Sequence, residues 1–118
     1  MLTAPAMARP TQPSNPVLNR AEVMARIRSQ SPTIRALGVD HCALFGSFSR
    51  DQGVTPSSDV DVLVSFLEGH KSLEGLMQLA DLLEQLLMRP VDLLTYEGVS
   101  RHLQSTVMAE ARDVAIDA

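Results

Sequence analysis

Apolar positions along the chain form short continuous runs that alternate with helical stripes. Residues 39–45, 59–66 and 91–95 are predicted strands, because each is a short apolar or β-branched run bounded by Gly, Pro or polar residues. Between the last two lies the longest helical pattern, residues 72–88, in which Ser72 can cap the helix and the apolar positions cover more than one face. Helices that alternate with strands predict an α/β (α+β) domain whose helices pack against one small mixed sheet.

Three further helices are predicted from their start and stop signals. Asn19 followed by Glu22 is typical of a helix N-cap and its capping-box partner, so a helix should run from about residue 21 to 28. A short helix over 31–37 begins with Ser-Pro and ends at a glycine. The C-terminal pattern predicts a last helix from about residue 99 to 114.

The chain has 118 residues, which is enough for one small domain. Four of its seven prolines lie in the first 18 residues, where apolar positions are scattered. Since proline disfavours both helices and strand ladders, residues 1–18 are predicted to be a disordered tail and residues 19–118 a single domain. Aromatic residues make up only 3% of the chain, so the core of that domain should be aliphatic.

Charge and cysteine content restrict the class of protein. The formal net charge is −4 and the pI is about 5.2, which argues against a nucleic acid as direct ligand, because proteins that grip a nucleic-acid backbone usually present a basic surface. The one cysteine, Cys42, lies in an apolar strand pattern and is predicted to be a buried free thiol.

No apolar run approaches the ~18 residues that span a membrane. With no secretory signal pattern either, the sequence predicts a cytoplasmic protein without a membrane partner.

Two carboxylates interrupt the second predicted strand. Asp59 and Asp61 are two positions apart, so on a strand both would point to one face while the neighbouring valines point to the other. Like charges this close repel unless a cation lies between them, and Mg²⁺ is usually held by one or two carboxylates together with substrate phosphates. The pair therefore indicates a metal site, although an exposed strand edge with incidental acids is the alternative.

A Gly-Ser turn precedes this pair. Gly46 and Ser47 end the first predicted strand and could open a helix whose N–H groups and hydroxyl face a phosphate. A plain strand-to-helix turn with Ser47 as N-cap explains the same residues. The spacing to Asp59 favours the phosphate interpretation, and the two features together indicate a nucleotide-handling site.

The combined motif resembles a known family. Gly46-Ser47-Phe48-Ser49-Arg50, a short polar gap and Ser58-Asp59-Val60-Asp61 resemble the signature of the polymerase-β-type nucleotidyltransferases, above all the minimal nucleotidyltransferases of prokaryotes, or MNT proteins. The resemblance covers most of residues 20–118 and implies a polymerase-β-like nucleotidyltransferase palm. Two positions depart from the family, since Ser49 stands where Ala is frequent and Asp51 stands where Gly often follows the Arg.

The resemblance also implies roles for individual residues. Three acidic residues hold two Mg²⁺ ions in this family, and Asp59, Asp61 and Asp92 match their places in the motif and on the following strand. Asp92 would lie nearest the attacking hydroxyl and favour its deprotonation. Gly46, Ser47 and Arg50 would bind the phosphates of ATP, the nucleotide donor. As alternatives, Asp92 could be a simple strand start and Arg50 a surface arginine.

Family membership would also imply a partner. MNT proteins are commonly paired with a helical HEPN toxin, and the MNT protein acts as antitoxin by transferring AMP from ATP to a hydroxyl of the toxin, typically of a Tyr. The surplus apolar positions of helix 72–88 are compatible with docking such a protein. Two alternatives stay open, namely a non-catalytic antitoxin that neutralises its partner by binding, and a nucleotidyltransferase acting on a small molecule.

Overall fold

The computed structural model describes residues 15–99 and 101–116. Five helices and four strands follow one another in this part of the chain, as the sequence pattern predicts for an α/β (α+β) domain. In order they are α1 Arg20–Ser29, α2 Ser31–Ala36, β1 Val39–Phe45, α3 Gly46–Arg50, β2 Val60–Phe66, α4 Leu73–Leu87, β3 Val91–Thr95, α5 Arg101–Glu110 and β4 Arg112–Asp113.

The four strands form one mixed sheet in the order β3-β2-β1-β4. β1 pairs with β2 and with β4 in antiparallel fashion, whereas β2 and β3 are parallel. A parallel pair needs a crossover connection, and α4 supplies it between β2 and β3. The two central strands are therefore β2 and β1, and the carboxyl-terminal end of β1 lies beside the start of β2.

The larger core lies on one face of this sheet. Val60, Val62 and Val64 of β2 are fully buried there against residues of the helices, which include Val23, Leu79 and Leu83. The opposite face carries a smaller cluster of buried residues, namely Ala43, Leu63 and Val99. One face of the sheet is thus thickly covered, while the face that carries Leu63 is covered by fewer apolar side chains.

The helix caps follow the local sequence signals. The Asn19 side chain accepts a hydrogen bond from the Glu22 N–H at 2.9 Å and Ser72 accepts one from the Gly75 N–H at 3.0 Å, as predicted. The Glu22 carboxylate accepts from the N–H of Leu18 at 2.7 Å, one residue before the position that a capping box would use. The caps set where α1 and α4 begin.

The apolar surplus of α4 is visible at its first turns. Leu73 is 74% exposed and Met77 is 60% exposed, whereas Leu79 and Leu83 are fully buried. One face of α4 therefore packs on the sheet, and a second apolar strip at its N-terminal end faces solvent.

The C-terminal prediction was wrong for its last four residues. The helix predicted over 99–114 is α5 Arg101–Glu110, and the chain then forms β4, whose Arg112 pairs with Leu44 of β1. The N–H of Val114 donates to the carbonyl oxygen of Cys42 at 2.9 Å, which extends this pairing. Tertiary pairing with the free edge of β1 outweighs the helical pattern here, because backbone groups of β1 gain partners.

The N-terminal segment is described from residue 15 onward, and most of the predicted disordered tail lies outside the described residues. Val17 is fully buried, and its N–H donates to the carbonyl oxygen of Leu87 at 3.1 Å. The last residues before α1 therefore pack against the end of α4. Within residues 15–99 and 101–116, none of the helices has the length and apolar character to cross a membrane.

Candidate functional site

Two of the predicted site carboxylates meet across the parallel strands. Asp61 of β2 and Asp92 of β3 are register partners, so both project from the same face of the sheet. That face carries Leu63 and is opposite to the large core. Asp61 is half-buried and Asp92 is exposed. Asp59 precedes the first residue of β2 and is exposed, so it lies beside this pair without belonging to the ladder.

The Gly-Ser turn lies directly over Asp61. Phe45, the last residue of β1, is the register partner of Asp61, and α3 begins at the next residue, Gly46. Gly46 has a φ of +73°, a left-handed conformation that glycine adopts without steric cost. A Cβ atom placed on Gly46 would overlap Oδ2 of Asp61. The absence of a side chain at position 46 therefore lets the turn and the carboxylate approach each other.

The alternative in which Ser47 is a plain N-cap is not what the structure shows. The N-cap of α3 is Phe45, which makes no side-chain capping hydrogen bond, and Ser47 is a half-buried residue within the first turn. The first N–H groups of α3 consequently lack the side-chain acceptor that usually satisfies them. They lie next to Asp61, where an anionic group bound to a cation could accept from them.

The electrostatics of the site favour a bound cation. The pKa of Asp61 is raised from 3.8 to about 6, first by burial and then by the negative charges of Asp92 and Asp59, while Arg50 lowers it. A carboxylate that resists ionisation for these reasons gains stability when a cation neutralises the repulsion. The half-buried Asp61 together with two neighbouring carboxylates therefore distinguishes this site from an isolated acidic residue at a strand edge.

The donor set fits a hard divalent cation in part. In the described part of the chain, no group of three or more His, Cys, Asp or Glu side chains is arranged to hold a metal ion. The register-paired Asp61 and Asp92 provide two carboxylates on one face, and Asp59 is adjacent and exposed. Mg²⁺ normally retains waters and takes oxygen ligands from substrate phosphates besides one or two carboxylates, so an incomplete protein ligand set is compatible with it.

Arg50 is close to the site but is held by another residue. Its Nη1 atom lies 3.1 Å from Oε1 of Glu110, the last residue of α5, and the arginine side chain is 48% exposed. The Ser49 hydroxyl also donates to the carbonyl oxygen of Glu110. α3 is thereby joined to the end of α5.

Asp51 stands where the family pattern often has Gly, and it adopts the left-handed backbone conformation that a glycine would adopt there. It has a φ of +58° and caps α3 in the left-handed conformation, which Asp tolerates better than most residues. Its Oδ1 atom accepts from the backbone N–H of Arg20 at 2.9 Å, and Arg20 Nη1 donates to the carbonyl oxygen of Ser49 at 2.8 Å. The substitution therefore keeps the turn and adds a connection to the start of α1.

A small apolar cavity opens on the same sheet face as Asp61. It has a volume of about 340 Å³ and is lined by Leu63, Tyr96, Val99, Gln104 and Met108. Burial raises the pKa of the Tyr96 hydroxyl, to which the charge of Asp113 adds. Leu63 is two residues along β2 from Asp61, so the cavity and the carboxylates share one surface.

One residue that contacts this region is not revealed by the sequence pattern. Arg89, which follows α4 and precedes Pro90, is 7% exposed and lies over the ring of Phe48 in α3. Basic residues at helix ends are usually exposed, so the sequence pattern did not predict that Arg89 is buried. By contrast, Cys42 is a buried free thiol as predicted, and burial raises its pKa to about 12.

Comparisons with known proteins identify the family and the fold. The family model described as polymerase beta nucleotidyltransferase matches residues 32–115. A proposed protein adenylyltransferase of Methanocaldococcus jannaschii is 40% identical over 83 residues, which cover 70% of this chain and 87% of that protein. A proposed minimal nucleotidyltransferase of known structure has a TM-score of 0.62 and 29% identity, over 75% of this chain and 93% of that chain.

A chain from the complex of tri-AMPylated Shewanella oneidensis HEPN toxin with MNT antitoxin is also similar in fold. The TM-score is 0.50 at 22% identity, over 74% of this chain and 70% of that chain. The likeness at this level of identity concerns the fold. It agrees with the mixed sheet and flanking helices described above.

Proposed function

Because the chain belongs to the polymerase-β-type nucleotidyltransferase family, we propose that it transfers AMP from ATP to a tyrosine hydroxyl of a HEPN-type toxin and thereby acts as an antitoxin. The observation that carries this proposal is the pairing of Asp61 with Asp92 on one sheet face, directly beneath the Gly46 turn. A carboxylate pair next to helix N–H groups that have no side-chain cap is suited to a nucleoside triphosphate and its metal ions.

In this proposal each residue has a defined task. Asp59, Asp61 and Asp92 would hold two Mg²⁺ ions, which neutralise charge on the phosphates when bound. The N–H groups and hydroxyl at Gly46 and Ser47 would contact the phosphates. The exposed Asp92 would lie nearest the acceptor and accept its proton. The acceptor oxygen then forms a bond to the α-phosphorus, the bond from that phosphorus to the bridging oxygen breaks, and pyrophosphate leaves.

A protein acceptor is supported by the surface around the site. The chain relates to a proposed protein adenylyltransferase and shares its fold with a chain of a toxin–antitoxin complex. The apolar cavity beside Asp61 could receive part of an acceptor protein, and the exposed Leu73 and Met77 of α4 offer a second apolar contact. In this cytoplasmic antitoxin, the partner would supply the acceptor hydroxyl and much of its own binding surface.

One observation favours a second function, neutralisation of the partner by binding alone. The Nη1 atom of Arg50 is paired with Glu110 in this conformation. If that pair persisted when ATP is present, the nucleotide site would lack its nearest cation. The carboxylates would then be an inherited but idle feature.

The proposal is tested by co-expressing the chain with its HEPN-type partner and measuring the intact mass of the partner. We expect a gain of one or more AMP units with the wild-type chain and none with the Asp59→Asn, Asp61→Asn double variant, because two of the three carboxylates then lose their charge. Complex formation should survive in that variant. The matched control, Asp40→Asn with Asp81→Asn, also removes two exposed carboxylates and should leave the modification intact.

The other outcomes separate the alternatives. An unmodified partner in a stable complex would favour neutralisation by binding. A partner that is still modified by the double variant would show that the metal assignment to Asp59 and Asp61 is wrong. If the partner neither forms a complex with the chain nor becomes modified, the search should turn to small-molecule acceptors.

A further inference from the structure

Arg89 is a buried cation whose Nε and Nη1 atoms donate to backbone carbonyl groups. It is 7% exposed, and its Nε atom donates to the carbonyl oxygen of Val17 at 2.7 Å. Its Nη1 atom donates to the carbonyl oxygens of Thr55 and Ser58, each at 3.0 Å, with Pro56 at 3.4 Å. Among residues 15–99 and 101–116, the ion pairs within 4.0 Å do not involve Arg89. Carbonyl dipoles therefore compensate its charge.

The carbonyl groups that bind Arg89 belong to the segment that leads into Asp59. Residues 55–58 form a compact turn in which the Ser58 N–H donates to the carbonyl oxygen of Thr55 at 3.0 Å and the Thr55 N–H donates to Ser58 Oγ at 2.8 Å. Within the part of the chain that the structure describes, the hydrogen bonds of this turn other than those from Arg89 are internal to it. Arg89 is thus the polar connection from this turn to the rest of the domain.

The same guanidinium group contacts the other half of the site. Its central carbon lies 5.2 Å from the centroid of the Phe48 ring, a distance at which a cation is attracted to the face of an aromatic ring. Phe48 is fully buried and lies two residues after Gly46 in α3. Ser58 immediately precedes Asp59. One planar group therefore touches α3 and the residue before Asp59.

We propose that Arg89 is a positioning residue that sets the place of Asp59 relative to the Gly46 turn. This inference rests on the proposed function, because it assigns Asp59 and Gly46 to one site. Arg89 does so through two contacts of one guanidinium group, since its Nη1 atom donates to the 55–58 turn while its central carbon lies over the Phe48 ring. A lysine ammonium could donate to carbonyl groups but lacks the planar fork that lets Nε bind Val17 while Nη1 binds the 55–58 turn.

The test compares Arg89→Met, Arg89→Lys and the control Arg26→Met in AMP transfer from ATP to the partner. Arg26 is half-buried, and its Nη1 likewise donates to a backbone carbonyl, that of Leu86 at 3.1 Å, but it does not hydrogen-bond to the 55–58 turn. At a temperature where each variant is fully folded, we expect Arg89→Met to lower kcat about 100-fold, the loss typical of a ~1 Å misplacement of a reacting group. KM for ATP should change less, and Arg26→Met should retain wild-type kcat.

Rescue separates positioning from general stability. Removing the side chain in Arg89→Ala should enlarge a surface cavity of about 270 Å³ that Arg89, Thr55 and Pro56 help to line. Millimolar ethylguanidinium should restore part of kcat in this variant, while the same concentration of urea should not. Arg89→Lys should have an intermediate kcat. A stability effect alone would lower Tm in all Arg89 variants and leave kcat of the folded protein unchanged.

Backbone exchange decides the inference independently of catalysis. In Arg89→Met, the amide hydrogens of Ser57, Ser58 and Val60 should exchange faster relative to those of Leu63 and Leu83. Equal exchange in this turn together with wild-type kcat would overturn the positioning role. If the wild-type chain transfers no nucleotide, the proposed function fails, whereas faster exchange of the 55–58 turn in Arg89→Met would still support the placement of that turn by Arg89.

Discussion

The Asp61 carboxylate occupies the volume that a side chain on Gly46 would need. This relationship joins the end of β1 to the start of β2 at the point where both strands contribute to the site. It explains why the turn after β1 requires a residue without a Cβ atom. It also means that a change at either position acts on the other.

We expect Gly46→Ala to be more destabilising than Gly53→Ala. Both glycines have φ near +75°, at +73° and +75°, so both substitutions carry the left-handed backbone cost of ~1–2 kcal/mol. A Cβ atom on Gly53 meets nothing within 4 Å, whereas one on Gly46 overlaps Asp61. Urea denaturation should show the larger loss for Gly46→Ala, and AMP transfer should be lost only in that variant. Equal losses would mean that the Asp61 contact relaxes freely.

Asp61→Asn should stabilise the metal-free protein in a pH-dependent way. The pKa of Asp61 is about 6 in the folded chain and 3.8 as its ordinary value, so the folded state binds the proton more tightly between these values. The free energy of unfolding of the wild type therefore falls as pH rises from about 4 to 6, through this site. Asp61→Asn has no carboxyl group that titrates at this position. The difference in the free energy of unfolding between the variant and the wild type should therefore grow from about pH 4 to 6 and then level off.

Urea denaturation in EDTA at pH 4, 5, 6 and 7.5 would measure this difference, with the exposed Asp81→Asn as control. Adding Mg²⁺ at pH 7.5 should then raise the stability of the wild type more than that of Asp61→Asn, because a ligand that binds only the folded state stabilises it. A constant difference between the two proteins at every pH would contradict the raised pKa of Asp61.

Asp51 should tolerate substitution in a specific order. Asn keeps both the left-handed preference and a side-chain oxygen that can accept from the Arg20 N–H, so Asp51→Asn should be nearly neutral. Gly keeps only the backbone preference. Ala keeps neither, and Asp51→Ala should cost ~1–2 kcal/mol in the free energy of unfolding. Chemical denaturation of the three variants would measure the order, and Ala as the most stable of them would exclude the capping role.

Ser49→Ala should loosen α5 although it restores the residue that is frequent in the family. Ser49 is 1% exposed, and its hydroxyl donates to the carbonyl oxygen of Glu110 at the end of α5. Loss of this buried hydrogen bond should cost ~1 kcal/mol. Ser29, whose exposed hydroxyl donates to the Arg26 carbonyl oxygen at 2.6 Å, is the matched control, and Ser29→Ala should cost less. Thermal unfolding of both variants would compare the two bonds.

The strands β1 and β3 could be predicted at their observed bounds because each is a short apolar run with marked ends. β4 could not, since Arg112 and Asp113 have no strand character of their own and pair only because the edge of β1 is available. The register of Asp61 with Asp92 also lies beyond the sequence, because the pattern within each strand does not say which residues become neighbours. The contacts of Arg89 could not be predicted either, because they join residues that are far apart in the sequence.

The candidate site divides in the same way. Gly46, Asp59 and Asp61 belong to a local motif, and their identity could be predicted from its spacing. The pairing of Arg50 with Glu110 depends on how α5 packs, and it was not predicted. The same is true of Asp51, whose replacement of a family glycine is explained by a contact with a residue 31 positions earlier.

The parallel pairing of β2 with β3 has a consequence for the order in which the protein folds. β1 and β2 are antiparallel neighbours along the chain, so the Gly46 turn and Asp61 can meet through a short loop. Asp92 reaches Asp61 only after α4 has crossed the sheet, and closing such a longer loop is entropically more costly and slower. We therefore expect the pairing of β1 with β2 to precede the meeting of Asp61 and Asp92, so that the repulsion between these carboxylates does not oppose the earlier step.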